Sequence, residues 1–87
     1  MKIKPEFSLE YELDNIYIVK TESDGTKRDI CPITETAAMA WEGFERGIAR
    51  SALITAIVEE FDGTDEVTVA ADLETLEQQL LALGYAE

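Results

Sequence analysis

The chain has 87 residues, of which 46% are hydrophobic, and it carries a formal net charge of −12 and no histidine. This length supports one small core, so we expect a single, free-standing domain over residues 1–87. No stretch has the apolar length of a signal peptide or a membrane helix. The single cysteine, Cys31, excludes an internal disulfide and makes the cytoplasm the expected location.

The charge is distributed unevenly along the chain. All seven Lys and Arg residues lie between Lys2 and Arg50, and residues 51–87 are acidic without a single cation. Such a half repels a phosphate backbone and an anionic bilayer alike. The acidity is equally explained as a means of solubility, but in either case it argues against nucleic acid and membrane as partners.

Residues 7–33 alternate in hydrophobicity with period two, which predicts a three-stranded antiparallel meander. Asp14-Asn15 is the predicted first turn. Asp24-Gly25 predicts a two-residue type I′ hairpin between the second and third strands. That register places Glu22 opposite Lys27 and Lys20 opposite Asp29, and both are favourable opposite-charge pairs.

One face of this predicted sheet is apolar, and we expect it to lie under the helices. Its members are Leu9, Tyr11, Leu13, Ile16, Ile18, Cys31 and Ile33. The other face is polar except for Tyr17, Val19 and Ile30. These three residues form a candidate docking or dimer surface.

Residues 34–84 follow a helical period and predict three helices. Thr34, Ser51 and Asp65 are the expected N-caps, and Gly47, Asp62-Gly63 and Gly84 are the expected ends. The expected core-facing residues are Ala37, Ala40, Trp41 and Phe44, then Ile54, Ile57, Val58 and Phe61, then Val69, Leu73, Leu76, Leu80 and Leu83. The predicted fold class is α+β: a winged helix-turn-helix, with a three-stranded antiparallel sheet followed by three helices.

Residues suited to catalysis are missing. The chain has no histidine to act as a general base or metal ligand, and Cys31 has no second cysteine beside it. We expect Cys31 to be a small core residue. No Gly-rich phosphate loop is present. The sequence therefore predicts a protein that is not an enzyme, uses no cofactor or metal, and acts by binding.

The junction between the third strand and the first helix carries a family resemblance. Its run Ile33-Thr34-Glu35-Thr36-Ala37-Ala38 is similar to the apolar-Asn-Glu-Thr-Ala-Ala pattern of the PqqD-like family, the recognition elements of pathways that modify ribosomally made peptides. The similarity covers residues 16–85 and includes Trp41, Phe44, Ile54, Ile57, Glu60-Phe61-Asp62, Val69, Asp72-Leu73, Leu76, Leu80 and Gly84. Thr34, Pro32 and Trp41 depart from the usual pattern.

This resemblance implies a winged-helix domain that grips the leader segment of a precursor peptide. The leader is expected to add as a strand beside the third strand, in the cleft before the third helix, and to be delivered to a radical-SAM maturase, another modifying enzyme or a leader peptidase. The implied peptide-binding residues are Lys27, Asp29, Ile30, Cys31, Pro32, Ile33, Val69, Ala70, Leu73, Glu74 and Glu77.

The predicted hairpin register also states which backbone groups of the third strand are free. Thr21–Arg28, Val19–Ile30 and Tyr17–Pro32 are expected to bond inward, which leaves Lys27, Asp29, Cys31 and Ile33 facing the open edge. Pro32 would then interrupt only the pairing with the second strand. On the third helix, Ala70 leaves room for a bulky side chain and the two acids, Glu74 and Glu77, suit Lys or Arg. Val69 and Leu73 are equally explained as core.

Three other functions are weighed against peptide recognition. A DNA-binding winged helix needs cations on its recognition helix, but the candidate helices offer Gln78 and Gln79 and no cation after Arg50. An acyl-carrier protein needs an Asp-Ser-Leu attachment site, which Arg50-Ser51-Ala52 does not provide. An acidic subunit that docks on a biosynthetic enzyme stays open beside leader binding.

Overall fold

The computed structural model describes residues 1–87 as three strands followed by three helices. The strands are β1 (Phe7–Glu12), β2 (Asn15–Thr21) and β3 (Lys27–Ile33), and the helices are α1 (Glu35–Arg46), α2 (Arg50–Glu60) and α3 (Glu66–Ala82). The sheet is antiparallel in the order β1-β2-β3. The predicted α+β winged helix-turn-helix architecture is confirmed. None of the three helices combines the length and the hydropathy that a bilayer crossing requires.

The turn between β1 and β2 lies one residue earlier than predicted. Glu12 pairs with Asn15, so Leu13 and Asp14 form the two-residue loop, and Tyr11 pairs with Ile16. Leu13 has a positive φ of 50° and is fully exposed. The expectation that Leu13 belongs to the buried face is therefore wrong, because the residue is part of the turn and not of the strand.

The loop between β2 and β3 has three residues, so the predicted two-residue hairpin is wrong. The Glu22 N–H donates to the Thr26 carbonyl at 2.8 Å, and the Gly25 N–H donates to the Glu22 carbonyl at 2.9 Å. Gly25 takes the left-handed φ of 87° that this loop type places at its third residue. The Thr26 backbone N–H donates to the Asp24 carboxylate, which fixes the loop and lowers the pKa of Asp24.

A β-bulge restores the register at the far end of β3. Ile18 pairs with Cys31 as predicted, whereas Val19 pairs with Asp29, so Ile30 is the extra residue. Because of the bulge, Ile30 and Cys31 both pack against the core beside Ile33. The expectation that Ile30 lies on the outer face is wrong.

Val19, also predicted to be exposed on the outer face, is completely buried. The Lys27 ammonium lies 3.1 Å from the Glu10 carboxylate, although the two residues stand on opposite sides of β2. Their strand partners, Thr21 and Tyr17, share the face that carries Val19. The ion pair therefore crosses β2 on that face, and the predicted docking surface of Tyr17, Val19 and Ile30 does not form.

Two of the three predicted helix caps are confirmed. The Thr34 hydroxyl accepts a hydrogen bond from the Ala37 N–H at 3.1 Å, and the Asp65 carboxylate accepts one from the Thr68 N–H at 2.8 Å. Ser51 is not a cap, because α2 begins at Arg50 after Ala49, which makes no side-chain capping bond. Gly47 and Gly84 follow α1 and α3 with positive φ angles, as predicted.

The core consists of two hydrophobic clusters that share α1. Trp41 packs with Ile18 of the sheet and Leu80 of α3 in the first, and Ala40 packs with Ile57 of α2 and Leu73 of α3 in the second. The predicted apolar stripe of α3 is buried at Val69, Leu73 and Leu80. Its last member, Leu83, is exposed because α3 ends at Ala82.

The chain ends add a feature that the sequence did not suggest. Ile3 and Ala86 form an antiparallel bridge, and both side chains are buried in the first cluster. The Lys2 N–H donates to the Glu87 carbonyl at 2.8 Å, and the Glu87 N–H donates back to the Lys2 carbonyl at 2.8 Å. The segment before β1 is thus held against the segment after α3.

Candidate functional site

β3 is an edge strand whose outer side has no partner. It pairs with β2 on one side only, and Lys27, Arg28, Asp29 and Pro32 are exposed. A free edge of this kind presents backbone N–H and C=O groups to which another extended chain can bond.

Two observed hydrogen bonds fix the direction of the backbone groups in the sheet. The Thr21 N–H donates to the Glu6 carbonyl on the β1 side, and the Glu22 N–H donates to the Thr26 carbonyl on the β3 side. Since neighbouring residues of a strand point their backbone groups to opposite sides, even-numbered residues of β2 face β3. Their partners in β3 are Arg28, Cys31 and Ile33, which therefore bond inward.

The outward backbone groups of β3 belong to Lys27, Asp29 and Pro32. The predictions for Lys27 and Asp29 agree with this geometry, whereas those for Cys31 and Ile33 are wrong, because the bulge at Ile30 reverses the alternation. Pro32 has a carbonyl but no N–H. The edge thus offers donors and acceptors near the loop but only an acceptor at Pro32, contrary to the expectation that Pro32 leaves it intact.

A groove among the three helices begins where β3 ends. We name it the helical groove; it has a volume of about 380 Å³. It is lined by the start of α1, the end of α2 and one flank of α3: Thr34, Thr36, Ala37, Ala40, Ile57, Phe61, Thr64, Val69, Asp72, Leu73, Thr75, Leu76 and Gln79. Thr34, the residue that follows β3, is thus part of the groove lining.

The flank of α3 that lines the groove agrees with the predicted one only in part. Asp72, Thr75 and Gln79 line the groove, spaced as one side of a helix. Ala70, Glu74 and Glu77 share the other side, where the Glu77 carboxylate accepts a hydrogen bond from the Arg50 guanidinium at 2.5 Å. Arg50 at the start of α2 thus contacts this second side at Glu77, and peptide contacts by Ala70, Glu74 and Glu77 stay a prediction.

Val69 and Leu73, the remaining α3 residues of the predicted site, are core residues that also form part of the groove wall. Each is 3% exposed and packs against α2. Of the two explanations weighed from the sequence, the core position is confirmed, and contact with a bound peptide stays a prediction.

Charged side chains on this surface are concentrated at its loop end. At the loop end, Lys27 pairs with Glu10 at 3.1 Å and Arg28 pairs with Glu22 at 3.6 Å. In the helical groove, Asp72 is the single charged lining residue, among threonines, Gln79 and apolar side chains. The surface suits a segment that is extended and polar along β3 and apolar where it enters the groove.

Cys31 lies behind the edge and beside Tyr85. Its side chain is half-buried and packs on the first core cluster. Burial, and then the neighbouring Cys31 thiol, raise the pKa of the Tyr85 hydroxyl. No group of three or more His, Cys, Asp or Glu side chains is arranged to hold a metal ion.

The fold and the open edge define the class of this chain as a winged helix-turn-helix domain with an unpaired third strand. A solved structure with the same fold is that of TbiB1 in complex with the TbiA(beta) leader peptide. It superposes with a TM-score of 0.75 at 22% sequence identity, over 100% of this chain and 95% of that chain. No protein-family model matches the chain, and none of the curated proteins matches it.

Proposed function

We propose that this domain, a single PqqD-like unit over residues 1–87, is a non-catalytic recognition element for precursor peptides. It binds the leader segment as an added strand on β3 and presents the precursor to a modifying enzyme. The observation that carries the proposal is the unpaired edge of β3, which is followed directly by Thr34 in the lining of the helical groove. TbiB1, which has the same fold, was solved with a leader peptide bound.

The proposed contacts combine backbone pairing with one apolar anchor. Lys27 and Asp29 supply N–H and C=O groups to the leader, and Pro32 supplies its carbonyl. The side chains of Ile30, Cys31 and Ile33 pack against the core and hold β3 in position. Beyond Pro32, an apolar leader side chain enters the helical groove between Ala37 and Leu76, beside Val69 and Leu73.

The acidic surface supports a peptide ligand over DNA. A winged helix that binds DNA approaches a polyanion with Lys and Arg on its helices. Here α3 carries Glu66, Asp72, Glu74 and Glu77 and no cation, and Arg50 at the start of α2 is paired with Glu77.

The proposal is tested by titrating the labelled domain with the leader half of a short peptide encoded beside its gene. We expect saturable amide shifts on residues 27–33 and on Thr75 and Gln79 at the groove. Shifts that are absent, or confined to the β1–β2 turn, would show that no leader binds at β3.

A proline at Asp29 tests strand addition separately from side-chain contacts. Asp29→Pro removes one outward N–H while leaving the bonds to β2 in place, so we expect leader affinity to fall about tenfold, the loss of one well-formed hydrogen bond. Asp29→Ala keeps the N–H and is the matched control, with affinity near that of the wild type. Equal affinities for the two variants would contradict backbone pairing at this position.

A larger side chain at Ala37 tests the helical groove. Ala37→Leu places added methyl groups in the groove, so we expect about tenfold weaker leader binding. Ala71→Leu adds the same atoms to an exposed position of α3 outside the groove and should leave affinity unchanged. If Ala37→Leu bound the leader with unchanged affinity, the proposed apolar contact in the helical groove would be contradicted.

A further inference from the structure

A second groove opens between the β1–β2 turn and the helices. We name it the wing groove; its volume is about 570 Å³, and its lining residues are Tyr11, Leu13, Asp14, Ile16, Glu35, Ala38, Met39, Glu42, Glu60 and Phe61. We propose that it docks a folded protein whose surface presents apolar side chains within a ring of Lys and Arg.

Leu13 is the first observation behind this proposal. It is the one non-glycine residue with a positive φ, at 50°, and its large apolar side chain is fully exposed. Two-residue loops with a positive φ at their first position favour glycine there, because a Cβ atom is strained in that conformation. Asn would also tolerate the position better. A leucine here adds strain and exposes apolar surface, a combination that is concentrated at functional sites.

The charge around the groove identifies the kind of partner. Asp14, Glu35, Glu42 and Glu60 are among its lining residues, and no Lys or Arg is. Glu42 accepts the Tyr11 hydroxyl and lies 3.9 Å from Arg46, whereas the other three acids form no ion pair. An apolar centre inside unpaired carboxylates complements a basic rim on a partner. A second copy of this chain, at −12, would be repelled, as would nucleic acid.

The two grooves are separated by one thin ridge. Phe61 lines both, and the first turn of α1 divides its residues between them, with Thr36 and Ala37 on the helical groove and Glu35 and Ala38 on the wing groove. A protein docked in the wing groove therefore stands directly beside a peptide leaving the helical groove. The identification of the docked protein as the enzyme that receives the precursor rests on the proposed function. The existence of the docking surface does not depend on that function.

A synthetic amphipathic peptide of Leu and Lys serves as the probe for a basic, apolar protein surface. We expect saturable, equimolar shifts on Tyr11, Leu13, Met39 and Phe61 in an NMR titration at about 150 mM salt, where contacts between distant exposed charges are screened. The same peptide with Ser in place of Leu should not saturate these residues. Shifts spread along the acidic side of α3, or concentrated on Thr75 and Gln79, would overturn the wing groove as the docking surface.

Leu13→Asn separates a docking role from a structural one. Asn relieves the strain at the positive φ, so the variant should melt at a higher temperature than the wild type while binding the probe about fivefold more weakly. Val67→Ser, which removes an 81% exposed apolar side chain from α3, is the matched control and should bind the probe normally. Full binding by Leu13→Asn, or a loss of binding that accompanies a lower melting temperature, would overturn the proposal.

The leader titration distinguishes this proposal from the proposed function. Leu13→Asn should bind the leader as the wild type does, because Leu13 does not line the helical groove. If no leader binds to the wild type but the Leu-Lys peptide still occupies the wing groove, the docking surface stands and peptide recognition fails.

Discussion

The hydroxyl of Tyr11 on β1 donates a hydrogen bond to the Glu42 carboxylate on α1. This bond, then partial burial and the negative charge of Glu42, raise the pKa of Tyr11 from 10.0 to about 12. This hydrogen bond therefore ties β1 to α1 only while the Tyr11 hydroxyl is protonated.

The sign of the resulting pH dependence follows from the raised pKa. The folded chain holds the Tyr11 proton more tightly than the unfolded chain, so the stabilisation is complete below about pH 10 and is lost as the pH rises towards 12. Between about pH 10 and 12, we expect Tyr11→Phe to lose less free energy of unfolding than the wild type does. The difference should be under about 1 kcal/mol, because the Tyr11–Glu42 pair is exposed. Urea unfolding at a series of pH values measures the difference. If the free energies of unfolding of the two proteins changed equally with pH, the hydrogen bond between Tyr11 and Glu42 would be contradicted.

Single residues show where the sequence was sufficient and where it was not. Thr34 and Asp65 were predicted as caps because their side chains compete well for the free N–H groups that begin a helix, and both make the bond. Ser51 has the same chemistry but lies inside α2, where its carbonyl accepts the Thr55 hydroxyl instead. The N-cap of α2 is Ala49, so the predicted cap lies two residues too late in the chain.

At the scale of elements, α1 packs against Leu53 of α2 at Gly43. A Cβ atom added there would lie 2.7 Å from Cδ1 and 2.9 Å from Cδ2 of Leu53, a core residue that is 2% exposed. Gly43 is thus needed for packing, although glycine is a poor helix former.

We expect Gly43→Ala to destabilise the domain by about 1 kcal/mol. Overpacking costs about 1–3 kcal/mol and outweighs the gain of about 1 kcal/mol in helix propensity. Chemical denaturation of the variant measures the net change. Leu53→Ala alone should cost about 2–5 kcal/mol, and the double variant should cost less than the two changes added together. A more stable Gly43→Ala variant would show that Leu53 moves aside freely.

In the strands, the sequence pattern does not determine loop length to within one residue. Asp24-Gly25 is compatible with a two-residue hairpin and with a three-residue loop ending in glycine. The observed loop shifts the register by one residue, and the bulge at Ile30 shifts it back. Two consecutive apolar residues, Ile30 and Cys31, were the available signal, because only a bulge allows both to reach the same core.

The candidate site was predictable in outline from these elements but not in detail. The sequence predicted the strand order, and the free edge of β3 follows from that order. The choice between the two sides of α3 depends on where α2 packs, which the spacing of apolar residues leaves open. Arg50 and Glu77, which meet on the α2 side, lie 27 residues apart in the chain.

At the scale of the whole molecule, the two chain ends close the first core cluster. Ile3 is 7% exposed and Ala86 is 4% exposed, and the Lys4 N–H donates to the Tyr85 carbonyl at 2.9 Å. The rings of Phe7 and Tyr85 also pack in a T-shaped arrangement, with centroids 4.9 Å apart. This bridge could not be predicted from the sequence, because one apolar residue between two lysines is too short a pattern to indicate a strand.

We expect Ile3→Ala to destabilise the domain by about 2–4 kcal/mol, since it removes buried methyl groups from a core with few members. Thermal or urea unfolding provides the measurement. Leu81→Ala, at a position that is 47% exposed, is the control and should change stability by less than about 0.5 kcal/mol. Similar costs for the two variants would mean that the N-terminal segment contributes little to the fold.

The bulge at Ile30 also makes the β2–β3 hairpin tolerant of changes in loop length. A residue gained or lost in the loop after Glu22 shifts the pairing by one, and a bulge that forms, moves or disappears along β3 can absorb that shift. Ile33 and the capping Thr34 would then keep their places, and α1 with them. Relatives of this domain can therefore differ in the length of the β2–β3 loop while holding the junction between sheet and helices constant.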